Sequence, residues 1–209
     1  MAKATQWRGD NAPTPLNPPE IHVPKDSPVI LALGALQELS ASLGLARSLL
    51  DADLVELQNM LRETQRHLYI LKCDLASISD EEVVNGKKIP RPNGIEIQIV
   101  DQNISRLESY LGNKPDRFIL EGGAAGATAL YLANEVARRA ERLFISLQNL
   151  TDPQIGLYSK TGACQQYLNH LSYQLYLMAR VTNRSLGVPE ESISTDSATG
   201  EVIVTTDTQ

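Results

Sequence analysis

FILEGGAAGATALYLANEVARRAER, residues 118–142, is the stretch on which the fold turns. Gly126, Leu130, Ala133, Ala137, Ala140, Phe144 and Leu147 recur at alternating steps of four and three. That spacing lays an apolar seam of small and large side chains along one face of a helix, as in a bundle. One position round the helix, Asn134, Arg138 and Glu141 share a polar stripe. Beyond it Glu135, Arg139 and Arg142 form another, with the favourable order of Glu before Arg at i,i+4. Arg138 therefore sits at the edge of the seam. A guanidinium there needs a partner, and its planar fork of donors suits a carboxylate or a polyphosphate.

The rest of the chain repeats the pattern. Helix one is expected from about Pro28 to Leu50 on the seam Ala32, Leu36, Leu39, Leu43, Ala46 and Leu50, with Asp51 or Asp53 capping the next helix. Helix two carries Leu54, Leu57, Leu61, Leu68, Leu71 and Leu75, and His67 reads as a surface residue. Residues 79–93 hold Gly86, Pro90 and Pro92 and read as a mobile connection. Helix three follows on Ile97, Val100, Ile104, Leu107 and Leu111 and stops at Gly112. After a break containing Pro153, Gly156 and Gly162, helix five shows Cys164, Leu168, Leu171, Leu175 and Met178, with Asn169, Ser172 and Tyr176 as a polar edge. The sum is an all-α, five-helix antiparallel bundle with no strand pairs. An arm of residues 1–28, rich in proline, precedes the bundle of residues 29–185. A flexible tail of residues 186–209, capable at most of a weak hairpin around Ala198-Thr199-Gly200, follows it.

Composition bounds the function. The 209 residues, 42% of them hydrophobic, suit one domain with a sizeable core. A net charge of −6 argues against nucleic acid or an anionic membrane as partner. Cys73 and Cys164 lie in apolar helical patterns without metal spacing, so both read as buried packing residues in a reducing, cytoplasmic compartment. No uninterrupted apolar run approaches about 18 residues and the polar N-terminus has no signal-peptide core. There is no Ser/His/Asp pattern, Walker loop or His/Cys metal spacing, and no protein metal site is expected.

FILEGG followed by ARRAER, with LGALQELSASLGLARSLL before and YLNHLSYQLYLMARVTN after, resembles the PduO-type ATP:cob(I)alamin adenosyltransferases in order and spacing from roughly Lys25 to Asn183. The resemblance implies a homotrimer with sites between subunits, ATP, Mg2+ and cobalamin as the bound groups, and transfer of the 5′-deoxyadenosyl group of ATP to a reduced corrinoid. A corrinoid reductase and a B12-dependent enzyme are the implied partners. Cobalt in its cob(I) state is nucleophilic enough that the protein's work is positioning and charge. By this resemblance Arg138 grips the phosphates with Glu141 beside it, Asn169 lies near the nucleotide and Lys25 adds a phosphate contact. Gly9 and Asp10 remain from the family's Thr-(Arg/Lys)-Thr-Gly-Asp-x-Gly nucleotide loop, with Arg8 as a displaced cation. Phe118 crowds the lower face of the corrin and excludes its dimethylbenzimidazole ligand.

Local pattern alone also allows a surface ion-pair lattice for Arg138 and Glu141, plain core packing for Phe118, and a solvated arm in which Arg8-Gly9-Asp10 is accidental. The sequence departs from the family in four further places. Gln37 and Asn134 stand where the family has an aspartate and an arginine that pair between subunits, and a Gln–Asn hydrogen bond replaces that ion pair without stranding a charge. His170 and Tyr173 replace the arginine and aspartate after Asn169. Together with the altered loop, these departures support a second expectation, a catalytically weak member that binds or delivers a corrinoid. A purely structural bundle is the third.

Overall fold

The computed structural model describes residues 13–17, 19–77, 83–84, 86–112, 118–149 and 161–207. Five long helices dominate it: α1 (Pro28–Leu49), α2 (Val55–Ala76), α3 (Ile95–Leu111), α4 (Ala125–Gln148) and α5 (Thr161–Ser185). Seven strands accompany them: β1 (Thr14–Pro15), β2 (His22–Val23), β3 (Val83–Val84), β4 (Lys87–Lys88), β5 (Phe118–Ile119), β6 (Glu190–Thr195) and β7 (Val202–Asp207).

Each helix forms where its apolar residues recur at helical spacing and stops where the backbone demands it. Pro28 opens α1, where its missing N–H is no loss. Gly112, at φ +76, ends α3 in a conformation that a side chain would resist. At the start of α3 the Asn93 side chain accepts from the Ile95 N–H (3.0 Å) while Glu96 accepts from the Asn93 N–H (3.2 Å), a reciprocal cap. The cap expected of Asp51 or Asp53 is not made. α2 starts from Leu54 without a side-chain bond, and Asp51 spends its carboxylate on the Asp53 N–H inside the turn.

α1 packs between α2 and α4, and α5 between α4 and α3, with a narrower contact from α2 to α5 closing the core. The seam of α4 is buried from Gly126 to Leu147 as its spacing predicts. The α5 seam is buried as well. By length and composition α1 is apolar enough to cross a membrane. Its Val29, Ala32, Ala35, Leu36, Leu39, Leu43 and Ala46 are instead buried in the shared core, so its apolarity is that of a central bundle helix.

Four further expectations change. His67 is 5% exposed rather than on the surface: its Nδ1 lies 3.1 Å from the Tyr167 hydroxyl of α5 and its Nε2 3.3 Å from Glu63. Cys73 is half-buried, although Cys164 is buried as expected. The 79–93 connection is tied down at its end, where Arg91 reaches back to the buried Asp74 and to the Ser77 hydroxyl. Finally, strand pairs exist. The hairpin around Ala198-Thr199-Gly200 is present, with Asp196 accepting from the Ala198 and Thr199 N–H groups and Gly200 at φ +73. It does not stand alone, because β6 also pairs with β5, setting Phe118 opposite Ile193 and Ile119 opposite Ser192. A third strand turns a marginal hairpin into a sheet with one face on the bundle.

Candidate functional site

Along the seam between α4 and α5 the two helices run in opposite directions, and two contacts fix their register. Asn183 of α5 meets Ala124 at the start of α4 (3.0 Å), and seven residues further into each helix the rings of Tyr131 and Tyr176 lie 6.0 Å apart. A heptad later on the same stripes stand Arg138 and Asn169, so the register sets these two residues level across the seam. Both are exposed. The register thus assigns both residues to facing stripes of one helix pair.

Their surroundings differ from a simple ion-pair lattice. Arg139 reaches across to Glu38 of α1 rather than pairing with Glu135 in its own helix. Glu135 instead takes a loose contact from Arg138 at 3.7 Å, with the Arg138 side chain 55% exposed. An exposed i,i+3 pair at that distance contributes little and leaves the guanidinium available. Asn134, half-buried, donates to Glu135 (3.3 Å), and Glu141 is half-buried one turn beyond Arg138. Gln37 and Lys25 are exposed on α1 and just before it. Gly9 and Asp10, with Arg8, lie outside the described residues.

Phe118 is 85% exposed, which rules out a core role for its ring. It stands on β5, five residues before the Gly123-to-α4 turn. Arg138 lies about 20 Å further along the axis, at 1.5 Å per residue from the start of α4. Within one chain, then, the aromatic lies at the end of the seam where α4 starts and the arginine near the seam's middle.

His170 and Tyr173 turn towards α3. His170 Nδ1 is 2.6 Å from Asp101, and the Tyr173 hydroxyl donates to Glu108 (2.8 Å). These departures from the family motif are matched by acidic partners on α3, one each, and Tyr173 also stacks on Tyr176 of the stripe that carries Asn169, with 6.2 Å between ring centroids.

Sequence reading missed the polar layer at the other end of the seam. Arg180 donates from Nε to both oxygens of Glu190 (3.1 Å each) and from Nη2 to one of them (2.9 Å). Its guanidinium also lies over the Tyr176 ring at 5.9 Å. Burial raises the Tyr176 pKa, although Arg180 opposes it. Burial likewise raises that of Tyr131, whose hydroxyl is buried without a hydrogen-bond partner. Asn183, the last residue of the quoted α5 motif, is buried against the Gly122-Gly123 turn. The glycine pair was the only signal, since it announces a close approach without naming what approaches.

Among the described residues no three His, Cys, Asp or Glu side chains converge as a metal cage. The arrangement offers an exposed cation and carboxamide along a seam and an exposed aromatic at its end.

Known proteins resemble this chain in sequence and fold. A corrinoid adenosyltransferase of Mycobacterium leprae is 30% identical over 181 residues, 84% of this chain and 88% of its own length. That of Bacillus subtilis is 26% identical over 172 residues, covering 78% and 79%. A phenylalanine-to-alanine variant of a PduO-type ATP:corrinoid adenosyltransferase from Lactobacillus reuteri, complexed with cobalamin and ATP, aligns with a TM-score of 0.71 at 26% identity, over 88% of this chain and 94% of that one. With the cobalamin adenosyltransferase model also matching residues 5–182, the chain belongs to the cobalamin adenosyltransferase family.

Proposed function

We propose that this protein transfers the 5′-deoxyadenosyl group of ATP to the cobalt of a reduced corrinoid, giving adenosylcobalamin and triphosphate. The observation that carries the reading is the shared edge of α4 and α5, where Arg138 and Asn169 stand level and exposed and the same seam ends at the solvent-facing Phe118. In this reaction the cobalt–carbon bond forms as the bond from C5′ to the triphosphate oxygen breaks, and the electron pair leaves with the triphosphate. No protein base or nucleophile is required. Charge accumulates on the leaving group, and Arg138, aided by Lys25, supplies donors where it accumulates. Asn169 orients the nucleotide, and Glu141 holds the Arg138 end of the helix polar. Gly9 and Asp10 contribute backbone and carboxylate to the phosphate loop. Mg2+ enters with the triphosphate, whose oxygens suffice for an ion that prefers phosphates and water to an all-protein cage.

Phe118, by filling the space under the corrin, keeps the lower ligand off cobalt so that the reduced state is reached. Arg138 stands about 20 Å along α4 from the helix end that Phe118 precedes, which supports a site completed by a neighbouring subunit in a homotrimer. Gln37 and Asn134, on the paired α1 and α4, meet across that contact by hydrogen bonding. The free thiols suit a reducing compartment such as the cytoplasm. A corrinoid reductase upstream and a B12-dependent enzyme downstream are the partners this chemistry calls for.

The test is an anaerobic assay with chemically reduced cobalamin and Mg-ATP, following the cobalt–carbon bond by absorbance. Adenosylation that requires ATP is the expected result. Corrinoid binding without any ATP-dependent product contradicts the enzyme reading and leaves a corrinoid carrier.

A further inference from the structure

The region matched by the family model ends at residue 182, one residue short of Asn183. Asn183 is 2% exposed and spends its whole carboxamide on the turn that joins β5 to α4. Nδ2 donates to the Gly122 carbonyl (2.9 Å) and Oδ1 accepts from the Ala124 N–H (3.0 Å). Between these two bonds the backbone runs through Gly123 at φ +103, where an added Cβ would lie 2.3 Å from Asn183 Oδ1. The turn therefore comes as close to the carboxamide as a glycine permits.

One turn earlier on α5, Arg180 holds the opposite side of the same segment. Its side chain is 11% exposed and that of Glu190 is 6% exposed, so the bidentate pair is largely out of water. Glu190 opens β6, and β6 pairs with Phe118 and Ile119 and accepts the Leu120 N–H at the Glu191 carbonyl (2.8 Å). Phe118, Ile119 and Leu120 are thus held by a strand that α5 anchors, and Gly122 and Ala124 by α5 itself. A two-residue strand with an 85% exposed ring has no packing of its own to fix the ring's direction. Apolar contacts would bind the hairpin as firmly as these do, but only directional bonds set its register against the helix.

We infer that Asn183 and the Arg180–Glu190 pair are positioning residues for Phe118, fixing the height and angle at which its ring meets the corrinoid. This rests on the reading of Phe118 proposed above. It gives the C-terminal hairpin a part in the site.

The experiment uses the full chain and two variants. Asn183→Asp keeps the size and the acceptor for Ala124 but loses the donor to Gly122 and sets a carboxylate oxygen against a carbonyl. The double variant Arg180→Met/Glu190→Leu removes both charges at once, avoiding the misfolding that one stranded buried charge invites. Each is measured by amide hydrogen exchange over residues 118–124, by the base-off absorbance of bound cobalamin, and by kcat and KM for ATP. The expected result is faster exchange in that segment with α4 unchanged, a smaller base-off fraction, and kcat lower by roughly tenfold to a hundredfold, the loss that a misplacement of about 1 Å brings. KM for ATP stays within about twofold if binding energy at the phosphates is untouched. In a Phe118→Ala background Asn183→Asp adds nothing further, because both act through one ring. Additive losses, unchanged exchange, or unchanged kcat each overturn the inference. A parent protein without ATP-dependent adenosylation overturns the functional reading instead, and the two failures are told apart because exchange does not depend on turnover.

Discussion

Arg138 and Arg139 are neighbours in the chain and differ in what holds them. Arg139 is committed to Glu38 of α1, while Arg138 has only a 3.7 Å contact within its own helix. If Arg138 clamps the triphosphate, Arg138→Lys loses the bidentate geometry, and turnover falls by roughly 10²–10³-fold with corrinoid affinity little changed. Arg142→Lys, on the exposed flank of the same helix, is the control, and its effect on turnover is expected to be slight. Steady-state rates and a cobalamin titration of the two variants decide it, and equal effects contradict the assignment. At this scale the edge position of Arg138 was legible, since the heptad rhythm of α4 fixes which residues border the seam. His67 was not. Attention to the leucines of α2 hid a second buried stripe, Met60, Thr64, His67, Leu71 and Asp74, whose polar members conceal its helical spacing.

Between elements, that histidine joins α2 to α5. Its burial lowers the His67 pKa from the ordinary 6.5, against the opposing pull of Glu63 and Glu96, so the fold favours the neutral ring beside Tyr167. A base with a depressed folded pKa binds fewer protons folded than unfolded in the interval between the two values. Its contribution to stability is therefore present above about pH 6.5. It is lost as pH falls from there through the lower folded value. Melting temperatures of the parent should drop between pH 7.5 and 5 more steeply than those of His67→Gln, which keeps a hydrogen-bonding group without the titration. Parallel curves for the two proteins contradict this account. The helices were legible element by element because each carries its own period. The strand β5 was not, because two residues have no period and their partner lies beyond two further helices.

For the whole molecule, the outer face of α1 and α4 leaves Leu31, Leu45, Leu49 and Leu132 between 44% and 57% exposed. These side chains flank the Glu38–Arg139 pair on a surface that also carries Gln37 and Asn134. Burying such a face against further copies of the chain is the expected source of a trimer. Sedimentation at micromolar concentration should therefore report a trimer, and a stable monomer there contradicts a site shared between subunits. The five-helix architecture was legible in the sequence because seams on every helix require a common core. The sharing of polar residues between neighbours was not. His170 and Tyr173 read as damage to a nucleotide motif until Asp101 and Glu108 came into view on α3, a helix whose own spacing says nothing of them.

The three-stranded sheet also has a bearing on how the chain acquires its structure in time. β5 is joined to β6 only after all of α4 and α5 have passed between them, and both strands of the hairpin follow α5 in the chain. Because β6 and β7 are made after α5, a newly made chain has its five helices before its sheet. Until the hairpin has been synthesised and docked, Phe118 swings on an untethered segment, and the protein passes through a stage that is folded yet not ready for its ligand.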